Sequence, residues 1–219
     1  VVFLRPLGLR LGDKENSNAD SALVSTKRSL IFNQLNKELY QKFFLTTEEI
    51  QACRDGYIYV HDMSARRDTM NCCLFDVQSV LTGGFEMGNI WYNEPKTLDT
   101  AFDVMGDIIL STAAQQYGGF TVPEVDKILE PYAEKSYVKY VNEYKENTKE
   151  LLRELHISFV EKAFNPIIDK LANKNSTNKV QRDFEQGWQG IEMKLNSVGS
   201  SRGDYPFVTM TIGLATSKF

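Results

Sequence analysis

DTMNCCLFD, Asp68–Asp76, sets two of the chain's three cysteines side by side, and its reading decides what the rest of the chain is built around. Adjacent Cα atoms lie about 3.8 Å apart, shorter than an ordinary disulfide tolerates, so Cys72 and Cys73 are not expected to bond to each other. On a strand, successive side chains leave by opposite faces, and one thiol then faces a site while the other packs. The plainer alternative is that both are small buried apolar residues, the commonest fate of a free cysteine. The apolar run from Cys72 to Val80 suits either a strand or the start of a buried helix, and periodicity does not choose between them. Structural zinc is not expected, because only His61, His156 and Cys53 can join the pair and CxxC spacing is missing.

Upstream, Leu30, Ile31, Leu35, Leu39 and Phe43 recur at helical spacing, with Asp20 or Ser21 as the cap. Thr46 and Glu49 form a capping-box pattern for a short helix that Gly56 stops. YIYV, Tyr57–Val60, reads as a strand running into His61 and Asp62. Downstream, Pro95 precedes a long amphipathic helix whose Leu98, Ala101, Phe102, Met105, Ile108, Ile109 and Thr112 line one face until Gly118 and Gly119. The chain then reads as mostly helical to Leu195, with Pro123, Pro131 and Pro166 as starts or kinks and Phe184, Trp188, Ile191 and Leu195 as the last buried stripe. LNSVGSSRGDYP reads as a loop, and Val208, Met210, Ile212 and Leu214 as the inner face of a strand. NKNSTNK, Asn173–Lys179, is the nearest thing to a boundary.

The 219 residues suffice for a real hydrophobic core, with 42% apolar and 25% charged residues, ordinary for a globular protein. A net charge of −4 advertises no basic face for nucleic acid or an anionic membrane. No apolar run spans a bilayer, and the opening VVFLRPLGLRLG lacks a convincing cleavage site. With an odd cysteine count, this points to a reducing, cytoplasmic setting. A Val start and a last strand short of partners suggest a processed chain or part of something longer. SSRGD, Ser200–Asp204, either offers backbone N–H groups and a guanidinium to a phosphate or is a solvated turn. There is no Walker loop, GxGxxG or GxSxG, so neither a standard mononucleotide fold nor a serine hydrolase is indicated.

Six segments taken in order, ENSNAD, IYVHDM, NCCLFDVQSVLTGGFEMGN, EPKTLDTAF, YGGFTVPEVDKILEPYAEKSY and LNSVGSSRGDYPFVTMTIGLATS, resemble the anaerobic, class III ribonucleoside-triphosphate reductases of the glycyl radical enzyme superfamily. The resemblance runs from Glu15 to Ser217 and thins between Val141 and Arg182. It implies a helix-rich α/β fold: part of one half of a ten-stranded α/β barrel with flanking helices, residues 1–219 forming a single domain from the early catalytic barrel. The ATP-cone, the finger loop with its thiyl cysteine, the cysteine metal site and the radical-bearing glycine would lie outside these residues.

The resemblance also implies roles. Cys72 matches the second active-site cysteine, which faces the substrate ribose, and Cys73 falls where some members carry an apolar residue. Asn71 and His61 match pocket-lining positions, and Ser200, Ser201, Arg202 and Gly203 the substrate-phosphate loop. The helix Thr97–Gln116 and the one ending near Leu195 resemble those of the dimer interface and the deoxynucleotide effector site. Lys139 matches a lysine that contacts effector phosphate. Asp107 stands where glutamine is expected, and a carboxylate near a triphosphate is unfavourable unless a cation intervenes.

The implied activity is radical conversion of ribonucleoside triphosphates to deoxyribonucleoside triphosphates, with these residues inactive alone. Implied partners are the ribonucleotide, a deoxynucleotide effector, a second copy and a radical-SAM activase, with no nucleic acid or membrane. No cofactor is expected within the chain; the parent family uses a glycyl radical, a structural zinc and dNTP or ATP effectors. The alternatives are a non-catalytic dimeric deoxynucleotide-binding module and a ligand-free helical scaffold. A formate-lyase type is disfavoured, because its adjacent cysteine pair sits at the finger loop in a context unlike NCCLFD.

Overall fold

The computed structural model describes residues 23–66, 70–155, 161–197, 199–200 and 203–213. The opening VVFLRPLGLRLG, ENSNAD with its capping candidates Asp20 and Ser21, and Leu214 lie outside them. Two compact units emerge. One takes the described residues of Val1–Phe75, Ile108–Val122 and Lys194–Thr209; the other takes those of Asp76–Asp107, Pro123–Met193 and Met210–Phe219.

The first unit begins with α1, Val24–Phe44, and α2, Thr47–Arg54. The capping box of α2 forms as its sequence dictates: Glu49 N–H donates to Thr46 Oγ1 at 3.2 Å and Thr46 N–H to Glu49 Oε2 at 2.7 Å. Gly56, at φ +80°, ends it in the left-handed region that glycine enters without penalty. The stripe expected of α1 is only partly inward: Leu30 is buried, whereas Ile31, Leu35 and Phe43 are exposed.

YIYV is not a strand. Tyr57–Val60 makes no ladder, and Tyr57 and Tyr59 are each 85% exposed. β-propensity describes how a side chain fits a pleated surface, and without a neighbouring strand that preference has nothing to act on.

The ambiguous run after Cys72 is both things in turn. β1, Cys73–Leu74, is followed by α3, Val77–Leu81, which belongs to the second unit. Asp76 caps α3 by accepting from Ser79 N–H at 3.1 Å. β1 pairs in parallel with β4, Phe120–Val122, in the register Cys73↔Phe120 and Leu74↔Thr121. β5, Val208–Met210, completes a sheet of order β1-β4-β5, with Phe120 N–H donating to Phe207 O at 2.8 Å. Val208 and Met210 alternate inward as expected, but Ile212 is 82% exposed because the strand has already ended.

The second unit carries a hairpin that the sequence reading passed over. β2, Phe85–Met87, pairs antiparallel with β3, Ile90–Tyr92, about Gly88 and Asn89 at φ +59° and +66°. Positive φ at both central residues gives the mirror-image turn whose twist suits a hairpin. Helix α4, Leu98–Gln115, begins in this unit and buries Leu98, Ala101, Phe102 and Met105 as its periodicity requires. Two longer helices follow, α5, Val125–Glu154, with Pro131 inside it, and α6, Glu161–Ser197, with Pro166 inside it.

NKNSTNK is no boundary: it lies within α6, where Ser176 is buried and Tyr137 Oη donates to Asn173 Oδ1 at 2.9 Å. A polar run is tolerated there because most of its residues face solvent and one turn faces the core. Of the last stripe only Ile191 is fully buried, while Trp188 is 37% exposed and packs edge-on against Phe102 at 5.1 Å between ring centres. A Cβ on Gly187 would fall on the Phe102 ring, so α6 can approach α4 only with glycine there.

The start of α4 depends on one hydroxyl. Ser136 Oγ, fully buried on α5, accepts from the Leu98 N–H at 2.7 Å, and Leu98 is fully buried too. That N–H is one of the four donors a helix start leaves without an intrahelical partner. Ser136→Ala strands it away from water, and the expected loss is about 1–3 kcal/mol. Urea unfolding checks this: the midpoint falls and the m-value holds.

Candidate active site

The segment Met70–Leu74 lies alongside Gln116–Thr121, and the backbone fixes both. Tyr117 N–H donates to Met70 O at 2.8 Å, Gly118 N–H to Asn71 O at 2.6 Å, Cys73 N–H to Gly119 O at 3.0 Å and Phe75 N–H to Thr121 O at 2.9 Å. With the backbone fixed, the two cysteines part. Cys73 is half-buried and its Sγ donates to Gln116 Oε1 at 2.9 Å. Burial pushes the Cys73 thiol up from its ordinary range, outweighing the Gln116 hydrogen bond that pulls it down, and the neighbouring Cys72 adds a smaller push. Cys72 is exposed, with Gly119 N–H reaching its Sγ at 3.3 Å and its own S–H 3.6 Å from Asn71 Oδ1.

Behind Asn71 stands a residue the sequence reading did not single out. Asn71 Nδ2 lies 3.5 Å from Asp62 Oδ2, and the same oxygen is 3.2 Å from His61 Nε2. The structure therefore joins His61, Asn71 and Cys72 through Asp62. The signal was present in the His-Asp dipeptide, but only the turn over residues 61–66 carries Asp62 back toward Asn71. Gly118 is the other omission. A Cβ on it would strike Asn71 Oδ1 and come 2.5 Å from Cys72 Sγ.

Ser201 and Arg202 lie outside the described residues. Their neighbours form a tight turn: Gly203 N–H donates to Ser200 O at 2.9 Å, Ser200 N–H to Asp204 O at 2.7 Å, and Ser200 Oγ bonds Asp204 Oδ1. Gly203 sits at φ +82° with its carbonyl accepting from Thr26 Oγ1 at 3.1 Å. A cavity of about 310 Å³ opens beside this turn, lined by Ser200, Asp204, Phe207, Tyr117 and Gly118 among others. Gly118 is thus shared between the cavity wall and the Asn71–Cys72 contact. Among the described residues, no three His, Cys, Asp or Glu side chains are arranged to hold a metal ion.

Lys139 and Asp107 belong to the second unit. Lys139, on α5, is about half exposed and pairs with Glu143 at 3.9 Å. Its charge also reaches Asp99: burial opposes ionisation there, but hydrogen bonds from Thr97 and Thr100 and the Lys139 charge outweigh it and hold the carboxyl below its ordinary range. Asp107 is half-buried, two turns of α4 beyond Asp99.

A helix-rich α/β chain with small sheets and one exposed, backbone-held thiol defines a class that comparison with known proteins narrows. The fold is similar to part of the crystal structure of the anaerobic ribonucleotide reductase from Thermotoga maritima in complex with dATP and CTP: TM-score 0.53, 15% identity, 85% of this chain and 26% of that one. Residues 15–219 match the family model for the anaerobic ribonucleoside-triphosphate reductase, and the chain belongs to that family. It is 34% identical over 204 residues to the reductase of Enterobacteria phage T4, covering 92% of this chain and 30% of the phage protein. To the reductase of Escherichia coli strain K12 it is 31% identical over 205 residues, 93% of this chain and 26% of that protein. The chain therefore spans less than a third of the length of the curated relatives it matches. No helix among the described residues is long and apolar enough to cross a membrane.

Proposed function

We propose that this chain provides the early, substrate-facing part of an anaerobic ribonucleotide reductase, and that Cys72 is its hydrogen donor. The observation that carries the reading is the division of labour in the cysteine pair: one thiol packs against Gln116, and the other stands exposed on a fixed backbone. The radical chemistry originates in parts of the parent reductase outside these residues and supplies abstraction of the 3′ hydrogen from the ribose. Once the 2′-hydroxyl has left as water, a hydrogen must reach the sugar from a group already in place, because a reactive intermediate is best quenched where it forms. A thiol supplies that hydrogen atom and is left as a sulfur radical, which an external reductant, formate or a dithiol protein, returns to the thiol; Asn71 and Gly119 keep the sulfur where it is. Asn71 and His61 line the ribose side, and Ser200, Ser201, Arg202 and Gly203 take the substrate phosphates at the turn beside the cavity. β1 and β4, paired in parallel, are the first strands of the half-barrel.

Anaerobic CTP reduction with an activase tests this. The account expects turnover from a complete reductase carrying this segment and none from residues 1–219 alone; turnover by this chain alone contradicts the requirement for the parts it lacks.

A second reading keeps the effector site without the chemistry: a dimer whose α4 and α5 bind a deoxynucleoside triphosphate through Lys139. The loosely paired, half-exposed Lys139 ammonium favours it. Titration of dATP in a calorimeter is expected to give binding heat that Lys139→Ala removes. Heat that survives the substitution places the phosphates elsewhere, and Asp107, a carboxylate on α4, is the group that would weaken them.

A further inference from the structure

The chain of polar contacts from His61 to Cys72 passes through a residue that the resemblance left without a role. We infer that Asp62 is a positioning residue: its carboxylate fixes the Asn71 amide so that Oδ1 faces Cys72 and accepts from its S–H, which holds the hydrogen-bearing sulfur in place. The inference rests on the reading of Cys72 as hydrogen donor, since a thiolate has no hydrogen to give.

Three features carry it. The first is the chemistry of the donors. A carboxylate only accepts, so the side of Asn71 that meets Asp62 Oδ2 must be its NH2. The amide oxygen is left for the opposite side, where it stands 3.6 Å from the Cys72 sulfur and accepts from the S–H. Turned over, the amide would set oxygen against carboxylate and offer the sulfur an N–H, which favours the thiolate. Without Asp62 only the weak S–H donor of Cys72 favours this orientation over the other.

The second feature is the backbone. Asp62 sits at φ +50°, in the left-handed region that few residues other than glycine enter, and asparagine and aspartate are among those few. Such a conformation persists where its surroundings over-determine it. Here Ala65 N–H donates to Asp62 O at 2.9 Å and Arg66 Nε to His61 O at 3.0 Å, closing the turn on both sides of the carboxylate. The third feature is exposure. The Asp62 side chain is 19% exposed against 68% for His61, so it is the inner member of the pair and the one aimed at Asn71. The 3.5 Å contact is long, as such contacts are before a ligand fills a site.

The test uses the full chain with Cys53→Ser and Cys73→Ser, which leaves Cys72 as its only thiol, and follows labelling by iodoacetamide near neutral pH. The thiolate attacks the methylene carbon and iodide leaves, so the rate reports the thiolate share. Asp62→Gly and Asp62→Asn both tolerate the left-handed backbone. Asp62→Gly frees the Asn71 amide and is expected to speed labelling several-fold. Asp62→Asn replaces the acceptor-only carboxylate with an amide that can also donate, so it no longer selects one face of Asn71 and is expected to speed labelling as well, by no more than Asp62→Gly does. In an Asn71→Ala background, Asp62→Gly is expected to change nothing. The inference is overturned by an Asp62→Gly rate no faster than the parent, by an Asp62→Asn rate no faster than the parent, or by acceleration that persists without Asn71. None of these readouts involves turnover, so loss of the hydrogen-donor reading, seen as a Cys72→Ser reductase that still works, remains a separate result.

Discussion

Cys72→Ser, placed in a complete reductase carrying this segment, is expected to abolish CTP reduction, because the group that gives its hydrogen atom to the sugar radical is gone. Serine is nearly the same shape and can still accept from the Gly119 N–H that reaches the sulfur at 3.3 Å. What it lacks is a bond weak enough to give its hydrogen to a carbon radical. Folding is expected to be unchanged because Cys72 is exposed, so the loss falls on kcat rather than on protein yield. Cys73→Ser makes the contrast. It keeps a donor for Gln116 Oε1 at a half-buried position and is expected to retain most activity. An anaerobic assay of both variants side by side checks the pair. Equal losses would mean that the division of labour between the two thiols is wrong.

Gly118→Ala is expected to be the most damaging small change in the site. The added methyl strikes Asn71 Oδ1 and stands 2.5 Å from Cys72 Sγ and 2.7 Å from Asn71 O. Gly118 cannot simply back away, because its own N–H is bonded to that same Asn71 carbonyl at 2.6 Å. Overpacking of this kind costs about 1–3 kcal/mol. In a chain of this size each kcal/mol lowers Tm by about 2–4 °C. Beyond stability, the methyl displaces both the thiol and the amide that holds it, so activity is expected to fall further than Tm alone explains. Thermal unfolding of the chain and turnover of the reductase, measured on the same substitution, separate the two effects. Unchanged Tm and turnover would show that the Asn71–Gly118 approach is not as close as described.

What could be read from the sequence divides along a physical line. The capping box at Thr46 and Glu49, the α4 stripe and the opposite fates of Cys72 and Cys73 are local consequences of 3.6-residue and two-residue periodicities, and they stand in the structure. YIYV failed because a strand is a relation between two segments, and Tyr57–Val60 finds no partner among the described residues. β4 was hidden for the converse reason: Phe120–Val122 is short and follows two glycines, and becomes a strand through β1 and β5. The hairpin about Gly88 and Asn89 was legible in its turn residues and was missed. NKNSTNK looked like a linker by composition, yet a helix needs only one inward position per turn, and Ser176 supplies it.

The candidate site divides in the same way. Cys72, Asn71 and His61 could be singled out because chemistry-bearing residues are visible one at a time, and the structure brings these three together without testing their roles. Asp62 and Gly118 were not, because their importance lies in what they approach. One meets Asn71 from nine positions away in the chain, the other across a strand pairing. Ser201 and Arg202 stay expectations of the sequence alone.

The most direct test of the central claim, that Cys72 faces the ribose, is protection of individual thiols in the complete anaerobic reductase. Iodoacetamide labelling of Cys72 and Cys53 would be followed by peptide mass with and without CTP and effector. The account predicts that CTP slows labelling of Cys72 and leaves Cys53 unaffected. Labelling of Cys72 that proceeds at the same rate with the site saturated would contradict it.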